Sequence, residues 1–321
     1  FGAATAYDDG SDAFKAAAGG TSFSYNLALN LETSFTGKDL LYTRLRAGNM
    51  DNVFTGLFAQ EYGFDSGNAV VVNRMYYSFP IGENFTVVGG PMVRMDDMLP
   101  VWPSAYPSAM TYDFFTYAGA PGAYNLALGA GAGVYWQSND WSISTSYLST
   151  NGNLSCPSTD SAKCENGGGI ATDAAGSSAT TQIAYAPENW GIAAAYTYAS
   201  GDNGVGLYQG NATPGGVLAS TSDTTDSFGL SAWWTPEESG WIPSISAGYG
   251  GTWTEIAKDD IYTNSWYVGL EWDDVFIEGN SLGFAGGQAT RCRAASSTGS
   301  IGQLSREWLK PFGALRTRRS L

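Results

Sequence analysis

Apolar side chains recur at every second position along most of this chain, a period that fits β-strands and rules out long amphipathic helices. Phe23, Tyr25, Leu27, Leu29, Leu31 and Phe35 alternate with Ser24, Asn26, Ala28, Asn30, Glu32 and Ser34. Trp141, Ile143, Thr145 and Tyr147 alternate with three serines, and Trp190, Ile192, Ala194, Tyr196 and Tyr198 with Gly191, Ala193, Ala195 and Thr197. The same pattern places strands at about 23–35, 39–48, 70–79, 84–94, 125–136, 140–148, 179–186, 189–199, 226–235, 243–253, 264–272 and 280–286. A strand of about ten residues, tilted by about 45°, rises roughly 24 Å, close to the height of a bilayer's apolar band.

The connections alternate in length. Short ones fall at 36–38, 80–83, 137–139, 187–188, 236–242 and 273–279, and long ones at 49–69, 95–124, 149–178, 200–225 and 254–263. Short turns at one end and long loops at the other belong to up-and-down membrane barrels. Only 14% of residues are charged, against about a quarter in soluble proteins, while Trp and Tyr number 11 and 19. No apolar run reaches the 18 residues a membrane helix needs. The fold class expected is therefore all-β, an antiparallel up-and-down transmembrane β-barrel with about 12 strands present and 12–16 in an intact protein. A propeller would show a repeat of about 40 residues, which is absent. A soluble sandwich would fill its second strand face with Leu, Val and Ile, where this chain has Gly, Ser and Asn, residues suited to a water-filled lumen.

Three segments are expected: a linker or fragment start over 1–22, the barrel over 23–288, and an irregular basic tail over 289–321. Residues 1–286 carry 8 Lys+Arg and 29 Asp+Glu, a net of −21, whereas 287–321 carry 7 bases and one acid, a net of +6. The tail has no period-two pattern and reads as truncated or frame-shifted, with a genuine basic tail as the alternative. Phe1 is followed by neither a basic segment nor an apolar core, so no export leader is expected and the start reads as a mature or fragment end.

The segment from Asn30 to Asn49, NLETSFTGKDLLYTRLRAGN, resembles the cyanobacterial outer-membrane porins identified as iron-uptake porins, relatives of the carbohydrate-selective porin family. Val87–Tyr106, VVGGPMVRMDDMLPVWPSAY, and Ala247–Trp253, AGYGGTW, agree with it, and the likeness covers about residues 20–288. The resemblance implies a bacterial outer-membrane channel in contact with lipid and lipopolysaccharide, carrying small ions and polar solutes, with inorganic iron and carbohydrates among them. It further implies a homotrimer and an N-terminal S-layer-homology domain gripping the cell wall, which this chain lacks. Nucleic acid is not an expected partner.

No catalytic site, cofactor or metal site is expected. With no His in the chain, Ser-His-Asp and Cys-His systems are impossible. Gly129–Gly133 lies inside an alternating strand, which removes the phosphate-loop reading. Cys156 and Cys164 stand in a Ser/Asn/Gly-rich loop and are expected to form a disulfide, leaving Cys292 unpaired. Strand parity turns Arg44, Arg46, Arg74 and Arg94 inward as pore-lining residues, and the aromatic-rich loop that follows is expected to fold inward as a constriction. Its acids, Asp96, Asp97 and Asp113, would face the arginines and set up a transverse field; the competing reading pairs the arginines with inward acids such as Glu32. Because acids crowd both the long loops and this constriction, a weak cation preference is expected. Competing functions are a structural barrel tethering membrane to wall and an outer-membrane enzyme, the second disfavoured by the lack of any catalytic cluster.

Overall fold

The computed structural model describes residues 22–50, 63–106, 113–200, 224–238, 240–256, 259–275 and 278–295. They form one antiparallel sheet. Its strands are β1 (Asn26–Thr33), β2 (Leu40–Met50), β3 (Phe64–Asp65), β4 (Val71–Ile81), β5 (Phe85–Arg94), β6 (Leu128–Ser138), β7 (Trp141–Ser149), β8 (Ser177–Tyr185), β9 (Trp190–Ser200), β10 (Thr224–Trp234), β11 (Ser244–Ile256), β12 (Asp259–Asp273) and β13 (Ser281–Ala295). Twelve strands follow one another in chain order, each bonded to the next, while the two-residue β3 rides on the end of β2. This is the up-and-down all-β architecture expected from the period. β1 and β13 are the two ends of the path, and among the described residues they are not paired with each other.

The short turns use residues suited to reversing a chain. Asn139 and Asp140 join β6 to β7 with φ of 49° and 66°, the doubly left-handed backbone of a tight hairpin that Asn and Asp tolerate better than other side chains. At the β1–β2 turn, Asp39 accepts from the Phe35 amide at 3.0 Å, the Thr36 amide at 2.7 Å and the Ser34 hydroxyl at 2.8 Å. The Tyr77 hydroxyl of β4 donates to its other oxygen at 2.5 Å.

Two expectations are corrected. The stretch 254–263 is not a long loop: β11 and β12 stay zipped to the pairs Glu255↔Asp260 and Ile256↔Asp259. The last strand does not stop near residue 288 but runs to Ala295, with Arg291 opposite Asn264 and Cys292 opposite Thr263. In both places the antiparallel ladder is made by backbone groups alone: β11 and β12 pair without a shift through the largely polar run 255–260, and β13 absorbs register shifts at Tyr262/Thr263 and Asn264/Trp266, so pairing continues where the sequence shows no apolar alternation. The remainder of the expected tail, 296–321, and nearly all of 1–22 lie outside the described residues.

The two faces of the sheet differ in chemistry. On β7, Ser142, Ser144 and Ser146 are buried while Trp141, Ile143 and Thr145 between them are exposed. The outer face carries exposed Leu27, Leu29, Leu31, Met75, Phe79, Phe85, Ile143, Ile183, Ile192, Leu230, Ile245, Val268 and Phe284. At the turn end of β7–β9, Trp141, Tyr185 and Trp190 form a row with ring centroids 4.9 and 5.5 Å apart, and Trp190 pairs in register with Trp234. At the opposite end Phe228, Trp253 and Tyr262 form another, at 5.2 and 5.1 Å. Between the rows stand the aliphatic Ile143, Ile183, Ile192, Leu230 and Val268, with the paired Thr145 and Thr181 among them.

Candidate functional site

The inner face is built around the connection between β5 and β6. After Arg94 the chain makes a 3-10 turn, Met95–Met98, and the described part of the connection lies along the inner wall of the later strands. Gln182 of β8 donates to the Val101 carbonyl at 2.9 Å and accepts from the Tyr124 hydroxyl at 2.9 Å. Thr197 of β9 donates to the Ala123 carbonyl at 2.7 Å, and Ser265 of β12 to the Gly119 carbonyl at 2.8 Å. The amides of Ala105 and Tyr106 both donate to Ser246 of β11, at 2.8 and 2.9 Å. Met95, Met98, Tyr117, Tyr124 and Leu148 are fully buried in the resulting core.

Small residues on the wall make this approach possible. A Cβ on Gly250 would stand 2.5 Å from the Ala120 Cα, and one on Gly229 2.8 Å from the Ala120 Cβ. The Gly, Ser and Thr of the inner face were expected to be wet. Along β8–β12 many are instead packed under the connection, because a small residue serves equally to leave room for water or for another segment of chain.

Arg44 and Arg46 lie on β2, Arg74 on β4 and Arg94 at the end of β5. Arg44 stands opposite Arg74 in the β2–β4 register and opposite Asn30 in the β1–β2 register. A register shift lies beside this pair, between Arg44 and Leu45. Arg74 is 3% exposed and pairs with Asp97 at 2.9 Å, while Arg94 grips Asp96 with two nitrogens. The Arg94 amide also donates to Asp97, at 2.8 Å. Burial and the adjacent Asp96 push the Asp97 carboxyl above the ordinary carboxylate range, more than Arg74 offsets. Burial acts the same way on Asp96, but the Arg94 charge and hydrogen bonds outweigh it and hold that carboxyl low.

The other two arginines have different partners. Arg44 donates to the Asn30 side-chain oxygen and to the Tyr42 hydroxyl, both at 2.8 Å. Arg46 donates to Asn26 at 3.0 Å and lies over the Phe64 ring at 4.0 Å. Tyr42 stacks on Tyr76, with ring centroids 5.2 Å apart. Asp113 opens a second 3-10 turn, Asp113–Thr116, and its side chain lies outside the described part. Sequence reasoning missed Gln182, Thr197, Ser246, Ser265 and Tyr267, the wall groups that hold the connection. Their inward parity was readable, but their partners lie up to 163 residues away, the separation of Tyr267 from Ser104.

Cys156 and Cys164 are joined by a disulfide with Cα atoms 6.4 Å apart, in the β7–β8 connection. Asn151 organises the same loop, donating to the carbonyls of Gly167 and Ala174 at 3.0 and 2.9 Å. The side chain of Cys292 lies outside the described part.

No protein-family model matches the chain. Two uncharacterized cyanobacterial proteins are similar to it: one from Synechocystis, 28% identical over 91% of this chain and 56% of its own length, and one from Nostoc, 28% identical over 84% and 51%. The chain thus spans about half the length of these curated relatives. Among solved structures, OprB of Pseudomonas putida aligns over 77% of this chain and 69% of its own, with 13% identity and a TM-score of 0.44. A mutant porin of Rh. blastica aligns over 83% and 86%, with 12% identity and a TM-score of 0.43.

Proposed function

We propose that this chain is the membrane-spanning part of an outer-membrane porin, a barrel through which ions and small polar solutes diffuse. The observation that carries the reading is the outer face. Large apolar side chains such as Ile183, Ile192 and Leu230, each more than 40% exposed, form a band between two aromatic rows. Water penalises a contiguous apolar surface of that size, whereas lipid is its natural solvent and aromatic girdles mark the two interfaces. A chain that spans lipid with strands must also satisfy every backbone group by pairing, which argues for closure of β1 and β13 in the membrane.

The inward connection is the constriction of this channel, and the wall of β1 and β2, which no other described segment covers, is the path. The expected transverse field needs revision, since Asp96 and Asp97 are held by Arg94 and Arg74 at the wall. With those acids engaged, Arg44, whose described partners are neutral, sets the sign there, so the constriction favours anions instead of cations. The resemblance to cyanobacterial porins adds inorganic iron and sugars as solutes, a homotrimer as the assembly, and lipid and lipopolysaccharide as surroundings. Purified protein inserted into planar bilayers is expected to give stepwise conductance in KCl; a protein that inserts without conducting would refute the channel.

A further inference from the structure

We infer that the inner wall at Arg44 is a binding site for a small inorganic oxyanion such as phosphate. The inference rests on the proposed channel, in which this wall meets water, and names the solute class its narrowest part selects.

The argument is one of donors and acceptors. An arginine has only N–H donors, so the Asn30 group that receives the Arg44 Nε at 2.8 Å is the amide oxygen, which turns the two Asn30 N–H donors outward. The Tyr42 oxygen likewise accepts from the Arg44 Nη2 at 2.8 Å and keeps its own proton to donate. Asn30 and Arg44 are directly opposed in the β1–β2 register, and Tyr42 is two residues along the same face. The wall therefore presents the remaining guanidinium N–H groups, an amide NH₂ and a phenol O–H, all donors around one positive charge.

Among the described residues no ion pair cancels that charge. The partners of Arg44 are neutral, whereas the neighbouring Arg74 and Arg94 are paired with Asp97 and Asp96. Glu32, the closest acid along β1, sits opposite Tyr42 and forms no ion pair with Arg44. Two neutral bonds fix the guanidinium plane in advance, and a fixed planar fork suits the oxygens of a phosphate. A metal cation or an ammonium group would be repelled by the Arg44 charge, Glu32 opposite Tyr42 being the one carboxylate of β1 on this face, and an uncharged sugar would leave the charge unanswered.

Inorganic phosphate added to the wild-type channel in planar bilayers is expected to lower the KCl current in a saturable way. Arg44→Gln should raise the half-blocking concentration by about tenfold or more, the loss expected for one hydrogen-bonded charge. Asn30→Asp, which places a carboxylate against the guanidinium, should do the same while keeping the arginine, so the test survives if the first variant fails to insert. Equal block in wild type and either conducting variant, or no block of the wild type, would overturn the site while leaving the channel standing. A wild-type protein that gives no conductance would overturn the channel, and titration calorimetry with phosphate in detergent would then judge the site: heat lost in Arg44→Gln supports it, and no heat in the wild type ends it.

Discussion

Asp39 gathers two backbone amides and three hydroxyls, from Ser34, Thr36 and Tyr77, so the β1–β2 turn and β4 meet on one carboxylate. These hydrogen bonds, that of Tyr77 foremost, favour the ionised form and hold its pKa far below the ordinary value. A carboxylate lowered in the folded state contributes stability above its unfolded pKa of about 3.9 and loses it only as pH falls through the folded value. Asp39→Asn should therefore lower the melting temperature at pH 7, and the gap to wild type should close only in strong acid; a gap that closes already near pH 6 would refute the assignment. The turn itself was legible in the sequence, from the polar stretch 36–38 between two alternating runs. The role of Asp39 was not, because Tyr77 lies 38 residues away and reaches it only once β2 and β4 have paired.

At the scale of elements, the strands read best from sequence were those with one face in contact with chain or lumen and the other facing out, since that contrast writes the period. β9 alternates without a break and β7 does so as far as Leu148, and both were placed within one residue of their ends. The end of β13 and the β11–β12 hairpin were missed because backbone pairing continues there through stretches whose sequence has no apolar alternation. The connection between β5 and β6 was expected to fold inward from its aromatic content, but its route could not be read, because Ser and Gly on a strand face mean water or close packing equally. That route gives a prediction. Gly250→Val adds a branched side chain whose Cβ alone would stand 2.5 Å from the Ala120 Cα, so the connection must move off β11 while the outer face of the strand is untouched. Overpacking of this kind costs about 1–3 kcal/mol. The variant should still insert, with altered single-channel conductance and faster proteolysis of the connection; unchanged conductance and protease resistance would refute the packing.

For the whole molecule, the outer band and the charge distribution make separate claims. Ile183 lies on the outer face between the aromatic rows, in register with Ile143 and Ala194, and is 43% exposed, so Ile183→Lys places an ammonium in hydrocarbon at a cost of about 1–4 kcal/mol that rises toward the midplane. Urea titration in lipid vesicles should show that loss, and a loss below about 0.5 kcal/mol would argue against lipid on this face. Charge acts over distance and depends on salt. Asp160, Glu165 and Asp173 stand in the β7–β8 connection at the long-loop end, while Arg44 and Arg46 stand inside the sheet on β2. The screening length is about 3 Å at 1 M salt and about 30 Å at 0.01 M. In concentrated KCl a permeating ion feels only the charges it touches, and the arginines at the wall should give chloride the advantage. In dilute KCl the loop acids reach the mouth, enrich potassium there, and should pull the reversal potential toward the cation side. The expected result is a preference that moves from anion to cation as salt is lowered through this range. Asp160→Asn, Glu165→Gln and Asp173→Asn together should abolish the shift at low salt, and Arg44→Gln should weaken the anion preference at high salt. A reversal potential of the same sign and size at both concentrations would refute the division of charge between mouth and wall.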